Sequence, residues 1–342
     1  MKRIGICGAF DFKTLDHGGQ PVKTRQLYYE LCKSHGKENI EFVEMFKMNH
    51  FRIFAGCIRM MFRCSDVIIL PAHSGVQSLL PLLAVLNFVF RKKLSYVVIG
   101  GWLPSMLEAK GWLKFFLQRM HGIYVETSFM EKKLRENGLL NVYVLPNPKD
   151  LTPIPEEELA PCTEPIALCT FARVMEKKGI EDAIRAVKQI NKEKVLATLD
   201  IYGLIDSSYQ ERFAELQKDF PDYIRYGGAV PFEEAVSVLK KYVLQLFPTK
   251  FPTEGIPGSI VDGYFAGLPV LASKWESFAD VVEDGVTGVG FEFENYDDFV
   301  AKLQDLIAQP EKLARLKQNA RQRAIQYRAE CDEKIREYFL RS

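Results

Sequence analysis

Two carboxylates and two cations stand at spacings where chemistry could start. In residues 247–273, FPTKFPTEGIPGSIVDGYFAGLPVLAS, seven residues separate Glu254 from Asp262, and Gly258-Ser259 open a short helix. This places a carboxylate on a loop, free helix-start amides beside it, and a second carboxylate expected on the helix's first turn. Such a set suits a polyhydroxylated anion, because unpaired N-terminal amides attract phosphate while carboxylates accept from hydroxyls. Ser259-x-x-Asp262 also fits a capping box, so a purely structural role is the alternative. Upstream, Arg173 and Lys178 fall between a strand and a helix in residues 171–179, FARVMEKKG. Arginine offers a planar fork and lysine a point charge, a pair able to clamp a diphosphate. An exposed surface pair is the bland alternative.

Two further candidates sit at strand ends. His73 follows the apolar stretch 66–71, DVIILP, and ligand groups in open α/β sheets gather outside the carboxyl ends of strands. A structural histidine explains the same position. Gly18-Gly19 close the loop between a strand at 3–9 and a helix at 22–34. Strand, glycine turn and helix in that order suggest an anion cradle of the dinucleotide or sugar-nucleotide type. The full G-x-G-x-x-G is absent, and a tight turn without ligand accounts for the glycines equally.

The elements that must hold these residues follow from periodicity. Short apolar runs predict strands at 42–45, 66–71, 94–99, 122–126 and 142–145, with a helix at 128–137 among them. Residues 146–165, with six prolines and five acidic side chains, read as a linker. Alternation resumes with strands at 166–171, 197–202, 224–226, 243–247 and 288–293, helices between them, and a long basic helix from Pro310. The expected architecture is α/β: two doubly wound, Rossmann-like domains facing across a cleft. Residues 1–150 form the first domain and 151–325 the second, with the helix of 326–342 crossing back to the first.

Composition narrows the classes. The 342 residues are 47% apolar and 26% charged, with 45 basic and 44 acidic side chains. That is an ordinary globular composition, and its net charge of +1 gives no reason to expect nucleic acid. Seven cysteines form no C-x-x-C, so neither a zinc site nor a disulfide framework is indicated. The first residues, MKRIGICGAF, enter a strand without an apolar leader, and the longest apolar run, 79–90, is broken by Pro81 and Asn87. A bilayer span takes about 20 residues, so a cytoplasmic location is expected. Locally the first half is basic and apolar, at 47–63, 91–93 and 110–119. Such stretches either lie against a membrane surface or an anionic acceptor, or pack on the sheet with arginines at the rim.

Taken together, the motifs resemble the retaining glycosyltransferases of family 4, which have the GT-B fold. The resemblance rests on Gly18-Gly19, Asn147 at the hinge, Arg173 with Lys178-Gly179, Tyr202-Gly203 and Gly227-Gly228-Ala229-Val230-Pro231. It continues through Glu254 to Asp262, Ala266-Gly267-Leu268-Pro269-Val270 and Asp284-Gly285-Val286-Thr287-Gly288. It is dense in the second half and loose in the first. It implies a nucleotide-sugar donor of the UDP type, held mainly by the second domain. Arg173 and Lys178 would neutralise the diphosphate, and Glu254 would face the donor sugar as the catalytic carboxylate. The amides of Gly258 and Ser259 would touch phosphates, and Gly18-Gly19 would close over the same group. Asp262 would stand in for the family's second glutamate, on the ribose, although it is shorter by one carbon–carbon bond, about 1.5 Å.

Many family members carry a histidine after a first-domain strand. Here the comparable place is Gly100-Gly101-Trp102, which leaves His73, one strand earlier, as the substitute. No D-x-D occurs, which argues against a metal-dependent GT-A enzyme. The implied protein is a metal-independent hexosyltransferase with no cofactor beyond its donor substrate. Its acceptor would be a glycan or lipid-linked molecule of surface polysaccharide synthesis, with peripheral contact at the inner face of the membrane. A non-catalytic sugar-nucleotide-binding partner subunit and a nucleotide-sugar epimerase of the same fold are the alternatives.

Overall fold

A computed structural model of the chain describes residues 3–12, 19–71 and 73–340. Gly18 lies outside the described residues. Two compact units emerge, one comprising residues up to Asp150 with those from Arg328 onward, the other Leu151–Tyr327.

The first unit opens with β1 (Ile4–Gly8), α1 (Gly19–His35), β2 (Ile40–Glu44), α2 (His50–Arg63) and β3 (Asp66–Leu70). It continues with α3 (His73–Phe90), β4 (Lys93–Val97), α4 (Leu103–Ala109), α5 (Leu113–Leu117), β5 (Gly122–Val125), α6 (Ser128–Glu136) and β6 (Val142–Val144). The six strands form one parallel sheet in the order β2-β1-β3-β4-β5-β6. The inward residues of α2 (Ile53, Cys57, Met60, Met61) and of α3 (Leu79, Leu80, Leu83) are buried in a single cluster on one face of this sheet. The other face takes Leu27 and Leu31 of α1 together with Ile335 and Phe339 from the end of the chain. Helix α1 begins at Gly19, three residues before the helix expected from Val22.

The second unit holds β7 (Ile166–Phe171), α7 (Ile180–Ile190), β8 (Ala197–Tyr202), α8 (Gln210–Lys218), β9 (Ile224–Gly228) and α9 (Ala235–Leu239). After these come β10 (Leu244–Phe247), α10 (Gly258–Phe265), β11 (Val270–Ser273), α11 (Phe278–Val281), β12 (Gly288–Phe291), α12 (Tyr296–Ile307) and α13 (Pro310–Ile335), whose residues from Arg328 onward belong to the first unit. Its sheet is also parallel, ordered β12-β11-β10-β7-β8-β9. Strand order therefore reverses between β7 and β10, the topological switch point where open α/β sheets receive ligands. Helix α7 shows how sequence drives the packing. Ile180, Ala183, Ile184, Val187 and Ile190 recur at three- and four-residue steps and are all buried. Each large aliphatic side chain so buried contributes about 1.5–3 kcal/mol.

The proline-rich stretch between the units is docked, not free. Ile154 is buried, its amide donates to the Phe265 carbonyl at 2.9 Å, and the Arg321 Nε donates to the Ile154 carbonyl at 2.6 Å. Among the described residues no helix is long and apolar enough to cross a membrane.

Candidate functional site

At the second unit's switch point the chain leaves β10 at Phe247, turns through Pro248 and Thr249, and returns as α10. The loop is tied at both ends. The Ser273 hydroxyl, at the end of β11, donates to the Thr249 carbonyl at 2.7 Å, and the Thr249 hydroxyl donates to Glu254 Oε1 at 3.1 Å. The Lys178 ammonium donates to the same Oε1. Both side chains are largely enclosed, at 17% and 15% exposure, and Nζ lies 5.2 Å and 5.1 Å from the ring centroids of Phe247 and Phe251. The ammonium is thus held between a carboxylate and two aromatic faces in a partly dry setting, where its charge is less screened than at the surface.

Gly179 explains why Lys178 can be there. Its φ is +69°, and a Cβ on it would lie 1.9 Å from the Pro248 carbonyl oxygen. Only glycine lets the start of α7 approach the β10 loop this closely. Two further links fix that approach. The Lys250 amide donates to the Lys177 carbonyl at 2.8 Å, and the Lys250 Nζ pairs with Asp182 Oδ2 at 2.8 Å.

The other expected residues are placed as follows. Arg173, half-exposed after β7, pairs with Asp206 at 3.4 Å. Asp206 is held below the usual carboxylate range first by the hydroxyl and amide of Ser208, with Arg173 adding a smaller pull. The structure thus pairs Lys178 with Glu254 and leaves Arg173 on a different carboxylate. Gly258 and Ser259 form the first turn of α10. Its N-cap is Pro257, which offers no side-chain cap, so the capping-box alternative does not hold; the Ile260 and Val261 amides donate to the Pro257 carbonyl, and among the described residues the Gly258 and Ser259 amides meet no acceptor. Asp262 is not on the first turn: it is the fifth residue of α10 and is buried.

In the first unit, His73 starts α3, and its ring meets that of Trp102 edge-on at a centroid distance of 5.1 Å. The histidine and the Gly100-Gly101-Trp102 stretch, candidates on successive strand ends, are therefore neighbours. The Trp102 indole N–H donates to the Ile99 carbonyl at 2.8 Å, which sets the ring's orientation. Beside them Glu126 is paired with Lys23 and accepts from the Gly100 amide at 3.3 Å. Glu44, at the end of β2, accepts from the amides of Phe10 and Asp11, both at 2.9 Å, and so pins the backbone just after β1. Gly19 itself is in the first turn of α1.

Sequence reasoning passed over Thr249, Lys23 and Glu126. Thr249 carried a signal, a hydroxyl directly after a buried strand at the switch point. The Lys23–Glu126 pair joins α1 to β5 across 103 residues and carried none. Among the described residues no three His, Cys, Asp or Glu side chains come together as a metal site.

The fold is that of the two-domain GT-B proteins. Anabaena HepE, solved with UDP and glucose, superposes with a TM-score of 0.77 at 15% identity, covering 100% of both chains. Sucrose-phosphate synthase from Thermosynechococcus elongatus gives 0.73 at 14% identity, again over 100% of each. Residues 154–323 match the family described as Glycosyl transferases group 1. The amylovoran biosynthesis glycosyltransferase AmsK of Erwinia amylovora is 28% identical over 129 residues, 36% of this chain and 32% of AmsK. The putative colanic acid biosynthesis glycosyltransferase WcaL of Salmonella typhimurium is 28% identical over 130 residues, with the same two shares. The matched segment thus spans about a third of the length of these curated relatives.

Proposed function

We propose that this protein is a retaining glycosyltransferase that moves a sugar from a nucleotide donor, UDP-linked, onto a glycan or lipid-linked acceptor of surface polysaccharide synthesis. One observation carries the reading: Lys178 and Glu254 are paired at the switch point of the second sheet, inside the segment that matches the family. The names of AmsK and WcaL support the polysaccharide context, and the UDP bound to HepE supports the donor class.

In this reading the diphosphate meets Lys178, Arg173 and the opening amides of α10, and the ribose hydroxyls meet Asp262. The bond between the sugar's anomeric carbon and the diphosphate oxygen breaks, and the acceptor oxygen bonds to the same face of that carbon. The acceptor's proton passes to the departing phosphate oxygen. Charge growing on the diphosphate is stabilised by cations and amides already in place, so no reorganisation is needed as the bond breaks. Glu254 sets the field at the anomeric carbon, where positive charge develops, and holds Lys178 in position until the diphosphate competes for it. Metal ions have no part in this scheme, so EDTA should leave the rate unchanged.

The test is a thermal-shift panel of nucleotide sugars followed by turnover of whichever donor stabilises the fold. Stabilisation by a UDP-sugar, with UDP released only when an acceptor is present, supports the reading. UDP binding with no transfer or donor hydrolysis across a broad acceptor panel makes the protein a non-catalytic partner subunit. Conversion of the donor's sugar without acceptor makes it an epimerase.

A further inference from the structure

We infer that the outward face of α2 and α3 docks the first unit on an anionic lipid surface. The sheet-facing sides of both helices are buried, so packing on the sheet explains only half of each. On α3 the outward residues Val85, Phe88 and Val89 repeat at helical spacing with exposures of 63%, 84% and 79%. On the last turn of α2, Phe62 is 70% exposed, and its ring meets that of Phe90 edge-on at 4.7 Å. The ends of the two helices therefore form one apolar ridge in solvent.

Cations surround that ridge. Arg91, Lys92 and Lys93 follow it directly, and Asn87 fixes their turn. The Asn87 side-chain amide donates to the Lys92 carbonyl at 3.0 Å and its Oδ1 accepts from the Lys92 amide at 2.7 Å. Arg59 is exposed on α2, one turn before Phe62. From Met45 to Val125 the sequence holds ten basic residues and two acidic ones, Asp66 and Glu108, although the whole chain is balanced. Among the described residues Arg52, Arg59 and Arg91 take part in no ion pair.

Solvent-facing Phe and Val rimmed by uncompensated guanidinium and ammonium groups match a bilayer interface, which offers acyl chains beneath anionic headgroups. A second copy of the chain is a poor occupant, because it would set the same cations against themselves. With no described helix able to span, the contact is peripheral. The inference does not depend on the glycosyltransferase reading, since it is read from lipid binding alone.

The experiment is co-sedimentation of the full chain with vesicles of equal parts phosphatidylglycerol and phosphatidylcholine, against phosphatidylcholine alone. Binding is expected to the anionic vesicles, about tenfold or more tighter than to the neutral ones, and to weaken as salt shortens the Debye length. The exposed double substitution Phe88→Ser with Val89→Ser should lower the partition about tenfold, with an unchanged melting profile. Arg91→Gln should lower it about fivefold. Glu254→Ala should bind vesicles as the wild type does, which separates this result from any failure of catalysis. No binding to anionic vesicles, equal binding to both compositions, or unchanged binding by both surface variants overturns the inference. So does a concentration-dependent dimer that Phe88→Ser abolishes, which would make the face an interface between copies.

Discussion

The two sheets are built alike and furnished differently at their carboxyl edges. Each has six parallel strands, with the order reversing between β1 and β3 in one and between β7 and β10 in the other. At the second unit's switch point a cation, a carboxylate and a bare helix start are brought together by a few consecutive residues on either side of Gly179 and along the Thr249–Gly258 loop. At the carboxyl edge of the first sheet the groups come from dispersed places: Lys23 on α1, His73 at the start of α3, Gly100 and Trp102 after β4, Glu126 after β5. A diphosphate demands the same charges whatever sugar it carries, so a compact local device can hold it. The proposed acceptor would be recognised by shape and contacts assembled from several strand ends, worth a few kcal/mol each.

Substitutions at the second site should cost most. Glu254→Ala is expected to lower kcat/KM by about a thousandfold or more, a loss of about 4 kcal/mol in transition-state stabilisation. Steady-state kinetics with the donor found by thermal shift measures it. Gly179→Ala should destabilise the second unit by about 3 kcal/mol, because its Cβ has no room against Pro248 and its φ is left-handed. A denaturant melt reads that loss, and unchanged stability in Gly179→Ala would break the explanation for how Lys178 reaches Glu254. Lys178→Ala should reduce kcat/KM about a hundredfold by removing the diphosphate's cation and leaving Glu254 without its partner.

A buried cation also stands near the amino-terminal edge of the second sheet. Lys317 is buried, donates to the Tyr242 carbonyl at 2.8 Å, and desolvation holds its pKa down at about 8 from an ordinary 10.5. A lysine depressed in the fold destabilises it wherever the unfolded chain keeps the proton. The cost is therefore complete below about pH 8 and fades as pH rises toward 10.5, so stability should increase across that window. Lys317→Met should stabilise the chain by about 1–3 kcal/mol near pH 7 and flatten the rise, as melts at several pH values would show. Smallest of all, His73→Ala in the first unit should change the acceptor's KM by about tenfold or less and leave donor binding alone. A loss as large as that of Glu254→Ala would erase the contrast between the two units.

Most of the architecture was legible in the sequence because parallel strands buried on both faces read as short apolar runs. The second site was legible for the same local reason: Lys178-Gly179 and Glu254 each sit within a few residues of such a run. What was not legible depends on topology. No pattern announces that His73 and Trp102 share an edge, or that Lys23 reaches Glu126, because only the strand order places them together. Asp262 misled for a smaller reason. Ser259 looks like a cap, yet the helix starts from Pro257, which shifts the carboxylate two residues inward, into the second turn. In the 47–63 stretch the sheet-packing reading describes the inward side of α2, while its outward side carries exposed Arg59, Phe51 and Phe62.

The central claim, that Lys178 and Glu254 form the reacting end of a donor site, is tested most directly by titrating UDP calorimetrically into wild type and Glu254→Gln and measuring turnover of both. Glu254 neutralises Lys178 in the free protein, so its amide variant should bind UDP at least as tightly while turnover is lost. Turnover equal to wild type, or a parallel loss of UDP binding and turnover, would contradict the claim.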